Sequence, residues 1–129
     1  MTKSLQTEVE ELLPKWEGSF KKGLLSFWIL FSLTRRPMYA YEMKDEILEF
    51  SQGSISAEDN SIYRVLRRFI NAGLIVGELQ ASQNGPARKY YSLTHIGTEL
   101  LRQFTERNLL VFQSDVFITT IQNFLDNNN

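Results

Sequence analysis

Residues 61–71 read SIYRVLRRFIN, and Arg64, Arg67 and Arg68 stand there with no acidic residue between Asn60 and Glu78. On a helix, Ile62, Val65, Leu66, Phe69 and Ile70 fall on one face, while Asn60, Arg64, Arg67, Arg68 and Asn71 fall on the other, with Tyr63 at the boundary. Three guanidinium groups on one face repel one another unless an anion lies near them. The pattern therefore suits recognition of a negatively charged partner. The plainer reading is a solvated helix face, the commonest reason for surface charge. A second basic pair occurs in NGPARKYYSLTHIG, residues 84–97, where Arg88 and Lys89 stand between a turn signal and Tyr90–Tyr91.

Catalysis has almost nothing to rest on. The sequence has no phosphate-cradling glycine loop, no nucleophile beside a base and no metal-spaced cluster. It has no cysteine, which removes disulfides, thiol nucleophiles and thiolate zinc sites together. The single histidine, His95, stands at a helix start with no ligand cluster around it. No enzyme activity, cofactor or metal is expected.

The elements that must position these residues follow from composition and periodicity. A chain of 129 residues, 43% hydrophobic and 22% charged, suits one globular domain. Its net charge of −1 excludes binding by bulk positive charge, so an anionic partner must meet a local basic face. No stretch of eighteen uncharged apolar residues exists, and Met1 to Glu10 lacks the basic start and apolar run of a secretory signal. A cytoplasmic location and no membrane partner are the expectation.

Thr7 to Leu13 forms about two helical turns that Pro14 is expected to end, because proline disfavours helix in the residue before it. Ser19 can cap the next helix, whose residues Leu24 to Leu33 are apolar all round and hence central in the core. Arg35, Arg36 and Pro37 stop it, the arginines at the end favoured by the helix dipole. A second helix, Tyr39 to Phe50, carries Glu42, Asp45, Glu46 and Glu49 on a side expected to face solvent. After the loop SQGSISAEDN comes the arginine helix, closed by Gly73. LIVGELQAS and RKYYSL are strands joined by a turn at Gln83, Asn84, Gly85 and Pro86. Because side chains alternate along a strand, one of Tyr90 and Tyr91 faces the core and the other faces out.

Thr94 then caps a long helix from His95, expected to run unbroken to residue 124 and to measure roughly 45 Å at 1.5 Å per residue. Leu100, Phe104, Val111, Ile118, Ile121 and Leu125 form its apolar stripe. A helix that long exceeds what so small a domain can cover, so it is expected to pair with a second copy. The tail Asn127 to Asn129 is the only low-complexity element.

Three helices followed by a two-stranded hairpin are the order of a winged helix-turn-helix. In such domains the third helix enters the major groove of double-stranded DNA and the hairpin touches the backbone or minor groove. The expected class is mainly α with a small two-stranded antiparallel hairpin. Residues 1–17 are read as an N-terminal helical extension, 18–94 as the winged-helix DNA-binding domain, and 95–129 as a C-terminal dimerisation helix with a short tail.

At KKGLLSFWIL, RPMYAYEM, SIYRVLRRFINAGLI and NGPARKYYSLTHIGTELL, about residues 16 to 105, the sequence resembles the PadR family of bacterial transcriptional regulators, in its shorter form with a single C-terminal helix. The resemblance implies a homodimeric repressor joined through the C-terminal helix, often assisted by the N-terminal helix, that releases DNA on binding a small, frequently aromatic effector. Tyr39, Tyr41 and Glu42 match the family's second-helix motif, Tyr63 its groove-helix tyrosine, and Arg88, Lys89, Tyr90 and Tyr91 its wing. The sequence departs from the family at Ala40, where glycine is usual, and at Asn60, Ser61 and Ile62, where Gly-Thr-Leu precedes the tyrosine. The second departure changes the side chains at the start of the groove helix, so operator preference does not carry over.

The residues expected at the DNA are Tyr39, Asn60, Ser61, Tyr63, Arg64, Arg67, Arg68, Arg88 and Lys89, with Arg68 assigned to phosphate because it lies far from the helix start. Trp28 is assigned to the core, and Trp16 is the candidate for stacking on an effector. Because Thr94 follows the wing so closely, a shift of the C-terminal helix is expected to tilt the wing and release DNA. The competing reading is a winged helix that no longer binds DNA and uses its hairpin or acidic second helix on a partner protein.

Overall fold

In the computed structural model, which describes residues 4–127, helix α1 (Leu5–Ser32) starts where the Ser4 hydroxyl accepts a hydrogen bond from the Thr7 N–H at 3.2 Å. Residues 1–3 and 128–129, the last of which belong to the asparagine tail, lie outside the described residues. The helix passes through Pro14, where it was expected to end. A proline inside a helix leaves the carbonyl four residues back without its donor. That residue is Glu10, on a fully exposed stretch where water can replace the missing donor. The extension and the first helix of the winged domain are thus one rod of 28 residues.

The second half of α1 is central, as its all-round apolar pattern predicts. Ile29, Leu30 and Leu33 are buried, and Leu24, Leu25, Phe27, Trp28 and Phe31 pack partly buried around them. Trp28 stacks on Phe50 with ring centres 5.6 Å apart and meets Phe27 and Phe31 edge-on. It belongs to the core.

Helix α2 (Ala40–Phe50) begins one residue later than the pattern suggested, with Tyr39 as its extended N-cap and the Glu42 carboxylate accepting the Tyr39 N–H at 3.2 Å. Of its acidic side, Asp45 and Glu49 are exposed as expected, but Glu42 and Glu46 meet arginines. Arg35 pairs with Glu46 at 3.0 Å and Arg36 with Glu42 at 2.7 Å, so the two arginines bind α2 and lie beyond the last turn of α1. Side chains eleven and six residues apart meet because the chain reverses between the helices, which helix periodicity cannot register.

Helix α3 (Asp59–Asn71) buries Ile62, Val65 and Leu66. It closes with the Leu74 N–H on the Phe69 carbonyl at 2.9 Å and the Gly73 N–H on the Ile70 carbonyl at 3.0 Å. Gly73 has φ 77°, the left-handed value this closure requires and glycine adopts without strain.

Strands β1 (Ile75–Ser82) and β2 (Gly85–Leu93) pair antiparallel. Only Gln83 and Asn84 make the turn; Gly85 and Pro86 were expected there and instead open β2. The register runs from Ile75 opposite Leu93 to Gln80 opposite Arg88 and slips before Ser82 meets Gly85. Pro86 and Ala87 therefore face Ala81 alone, a bulge in which a residue without an N–H is tolerated. Tyr91 points into the core and exchanges both backbone hydrogen bonds with Met38, at 2.8 and 3.2 Å, so the hairpin is sewn to the segment before α2.

The C-terminal helix is not continuous. Helix α4 (His95–Asn108) gives way to a 3₁₀ turn (Leu110–Gln113), and α5 (Asp115–Asn127) follows. The Asn108 side-chain amide bonds the Phe104 carbonyl at 3.0 Å, and extended Ser114 accepts the Phe117 N–H at 3.1 Å. Those are stop and start signals set within an otherwise apolar run. Among the described residues no helix is long and apolar enough to cross a membrane.

Candidate nucleic-acid interface

The face of α3 opposite its buried residues carries Asn60, Arg64, Arg67 and Arg68, all exposed. Among the described residues neither Arg64 nor Arg67 has an acid within ion-pair distance, and Arg68 donates only to the Ser26 hydroxyl of α1, at 3.3 Å. Several other basic side chains are engaged: Arg35 and Arg36 on α2, Arg102 with Glu99 and Glu106, and Lys44 with Asp59 at 2.9 Å. That last pair takes up Asp59 in the first turn of α3, next to the N-cap residue Glu58, and the same bond raises the Lys44 pKa. The positive charge of α3 is thus held in reserve on one face.

On one flank the helix meets the wing. The Arg88 guanidinium lies over the Tyr39 ring, 4.6 Å from its centre, and Tyr39 meets Tyr90 edge-on at 5.5 Å. Lys89 leans the other way, with Nζ 5.9 Å from the Tyr91 ring centre and its stem against Gly77. Tyr39, Tyr41, Tyr63, Tyr91, Arg88 and Lys89 surround a cavity of about 220 Å³. Burial pushes the Tyr91 phenol pKa up, and the neighbouring Tyr63 adds to the shift. Tyr39, Tyr63, Arg88 and Lys89 therefore come together around one cavity. Tyr41 joins them; its place in the YAYE stretch was its only signal.

On the other flank, Ser61, Arg64 and Arg68 face α1 across a larger cleft of about 590 Å³ that Lys21 and Lys22 also line. Sequence periodicity missed these two lysines. Their signal was a Lys-Lys pair directly before the apolar run of α1.

The six residues of the expected apolar stripe lie on three pieces: Leu100 and Phe104 on α4, Val111 in the 3₁₀ turn, and Ile118, Ile121 and Leu125 on α5. All six are between 39% and 55% exposed, and α5 buries no residue at all. A second apolar stripe, which periodicity could have found, runs along the first turns of α1 through Leu5, Val9, Leu12, Trp16 and Phe20. Trp16, the effector candidate, is 78% exposed on it. Phe104 is the link to the core, 5.8 Å from Phe27 between ring centres. His95 is exposed in the first turn of α4.

The same arrangement of helices and hairpin occurs in solved regulators. A PadR-like transcriptional regulator from Bacillus cereus is 34% identical, with a TM-score of 0.61 over 81% of this chain and 93% of that one. A PadR-family regulator from Eggerthella lenta aligns over 92% of this chain and 96% of its own, at TM-score 0.65 and 24% identity. PadR of Bacillus subtilis, solved in complex with operator DNA, matches 63% of this chain and 46% of its own at TM-score 0.57 and 23% identity. Residues 29–103, from the buried half of α1 to α4, match the model of the transcriptional regulator PadR-like family, and the chain belongs to that family.

Proposed function

We propose that the protein is a homodimeric repressor that binds operator DNA, with α3 in the major groove and the wing on the backbone. The observation that carries this reading is the face of α3: exposed arginines without acidic partners, beside a wing arginine already stacked on Tyr39. Asn60, Ser61, Tyr63, Arg64 and Arg67 are assigned to the groove, with Arg68, Arg88, Lys89 and Tyr39 on phosphates. PadR of Bacillus subtilis, which shares the fold, was solved with operator DNA, and this supports DNA as the partner. The dimer is assigned to α4, the 3₁₀ turn and α5, joined by the exposed apolar stripe of α1, since large apolar side chains in continuous rows mark an interface.

A small effector is assigned to that dimer region. Trp16 offers an exposed indole there, and Phe27, Leu30, Phe69 and Phe104 line an apolar cavity of about 160 Å³ between α1, α3 and α4. Selection of bound duplexes from a random pool, followed by chromatin immunoprecipitation, tests the function. Enrichment of one palindromic site overlapping a promoter is expected. Retention of no duplex at low salt, with one protein co-purifying instead, overturns the reading.

A further inference from the structure

We infer that the cleft between α1 and α3 is a second phosphate-binding site, built from Lys21, Lys22 and Arg68, and that it takes the DNA backbone strand opposite the one met by the wing. This rests on α3 entering the groove.

At about 100° per residue, α3 points Asn60, Arg67 and Asn71 outward, turns Ser61 and Arg68 to one flank and Tyr63 to the other. Each flank opens into a concave site rich in hydroxyls and cations: Tyr63 toward the tyrosines and Arg88, Ser61 and Arg68 toward α1. A helix seated in a major groove has one phosphodiester strand on each side. The two sites stand where those strands run.

The cleft suits phosphate in its chemistry. Its lining holds four cationic side chains and no acid, with the hydroxyls of Ser26, Ser54, Ser56 and Ser61 among them. Glu17 holds Lys21 at 3.1 Å through an exposed pair one turn apart, weak enough for a phosphate to replace. Lys22 is exposed and, among the described residues, has no acidic partner. The Arg68–Ser26 hydrogen bond fixes α3 against α1 across the cleft, so the cations are positioned before a ligand arrives.

The test is a duplex selected by the wild-type protein, titrated over a range of salt concentrations and mapped by phosphate ethylation interference. Lys21→Gln/Lys22→Gln is expected to lower the salt slope by about 0.9 for each lost phosphate contact, without changing which sequence is preferred. Within each half-site it should erase interference on one strand, and Arg88→Gln/Lys89→Gln on the other. Circular dichroism checks that both fold. If the wild type retains no duplex, the DNA reading falls first. If it binds duplex and the lysine variant keeps its slope and interference pattern, the cleft assignment is overturned. Pyrophosphate that shifts Ser26 and Arg68 resonances, with the duplex slope unchanged in the lysine variant, reassigns the cleft to a free phosphorylated ligand and also overturns it.

Discussion

The hydroxyl of Thr94 lies 2.6 Å from the carbonyl oxygen of Gly73 and donates to it, while accepting the Gly97 N–H at 3.0 Å. One oxygen therefore joins the end of α3 to the beginning of α4, and the Thr94 N–H adds a bond to the Leu74 carbonyl at 3.1 Å. Gly97 completes the joint: a methyl group there would land on the Leu74 carbonyl. A displacement of α4 thus reaches α3 directly, whereas the sequence order had suggested a route through the wing. Thr94→Val is expected to cost about 1–2 kcal/mol in urea unfolding, with Thr94→Ser close to wild type. Gly97→Ala is expected to cost about 1–3 kcal/mol by crowding backbone.

Arg64→Ala and Arg67→Ala should each weaken operator binding by about 1–3 kcal/mol where the arginine reads a base, and flatten the salt slope by about one where it touches only phosphate. Both side chains are exposed, so thermal unfolding should not move. Unchanged binding in the double variant would remove α3 from the groove.

The Tyr39 ring carries the Arg88 guanidinium. Tyr39→Phe keeps that platform and tests the hydroxyl; Tyr39→Leu removes both. If the ring orients the wing, the leucine variant loses about 0.5–1 kcal/mol more than the phenylalanine variant in duplex binding, the usual size of an exposed cation–π contact. Equal losses would assign the whole effect to the hydroxyl.

Light scattering of the wild type is expected to give twice the 15.0 kDa chain mass. Ile121→Asp/Leu125→Asp, on a helix with no buried residue, should give a monomer that keeps most of its helical signal. A wild-type monomer at micromolar concentration would refute the assembly.

Hydrogen bonds from Arg102, then from Gln103, hold the Glu99 pKa down from the usual 4.5 to about 2. A carboxylate with a lowered folded pKa stabilises the fold fully above about 4.5 and loses that contribution as pH falls through about 2. The group is exposed, so the effect is small. Thermal midpoints of wild type and Glu99→Gln should converge as the solution is acidified across that window; a constant gap would show that the pairing does not titrate.

What the sequence made legible was local. The two faces of α3, the Gly73 closure, the hairpin and the Thr94 cap each follow from a spacing or one residue type within a few positions. What it hid was either distant in the chain or a signal outvoted by its surroundings. Arg68 meets Ser26 across 42 positions and Arg35 meets Glu46 across eleven, so neither the α1–α3 cleft nor the pairing of Glu42 and Glu46 shows in any periodicity. Pro14 carried a strong stop signal, yet an exposed helix absorbs one missing donor. Ser114 carried a start signal that the apolar residues around it obscured. The basic face was readable in part, but which cations were free to use was not.

The ion pairs of Arg35 and Arg36 with Glu42 and Glu46 have a consequence for how such a molecule searches for its site. With Glu42 and Glu46 matched beside the arginine face, a chain of net charge −1 presents an electrostatically sided body, not a uniformly acidic one. A polyanionic duplex then exerts more torque than pull on it, turning the arginine face inward and repelling encounters made back-first. On the proposed placement of α3, random stretches of DNA would capture it only briefly, and most of its residence time would fall to the sequence that α3 fits.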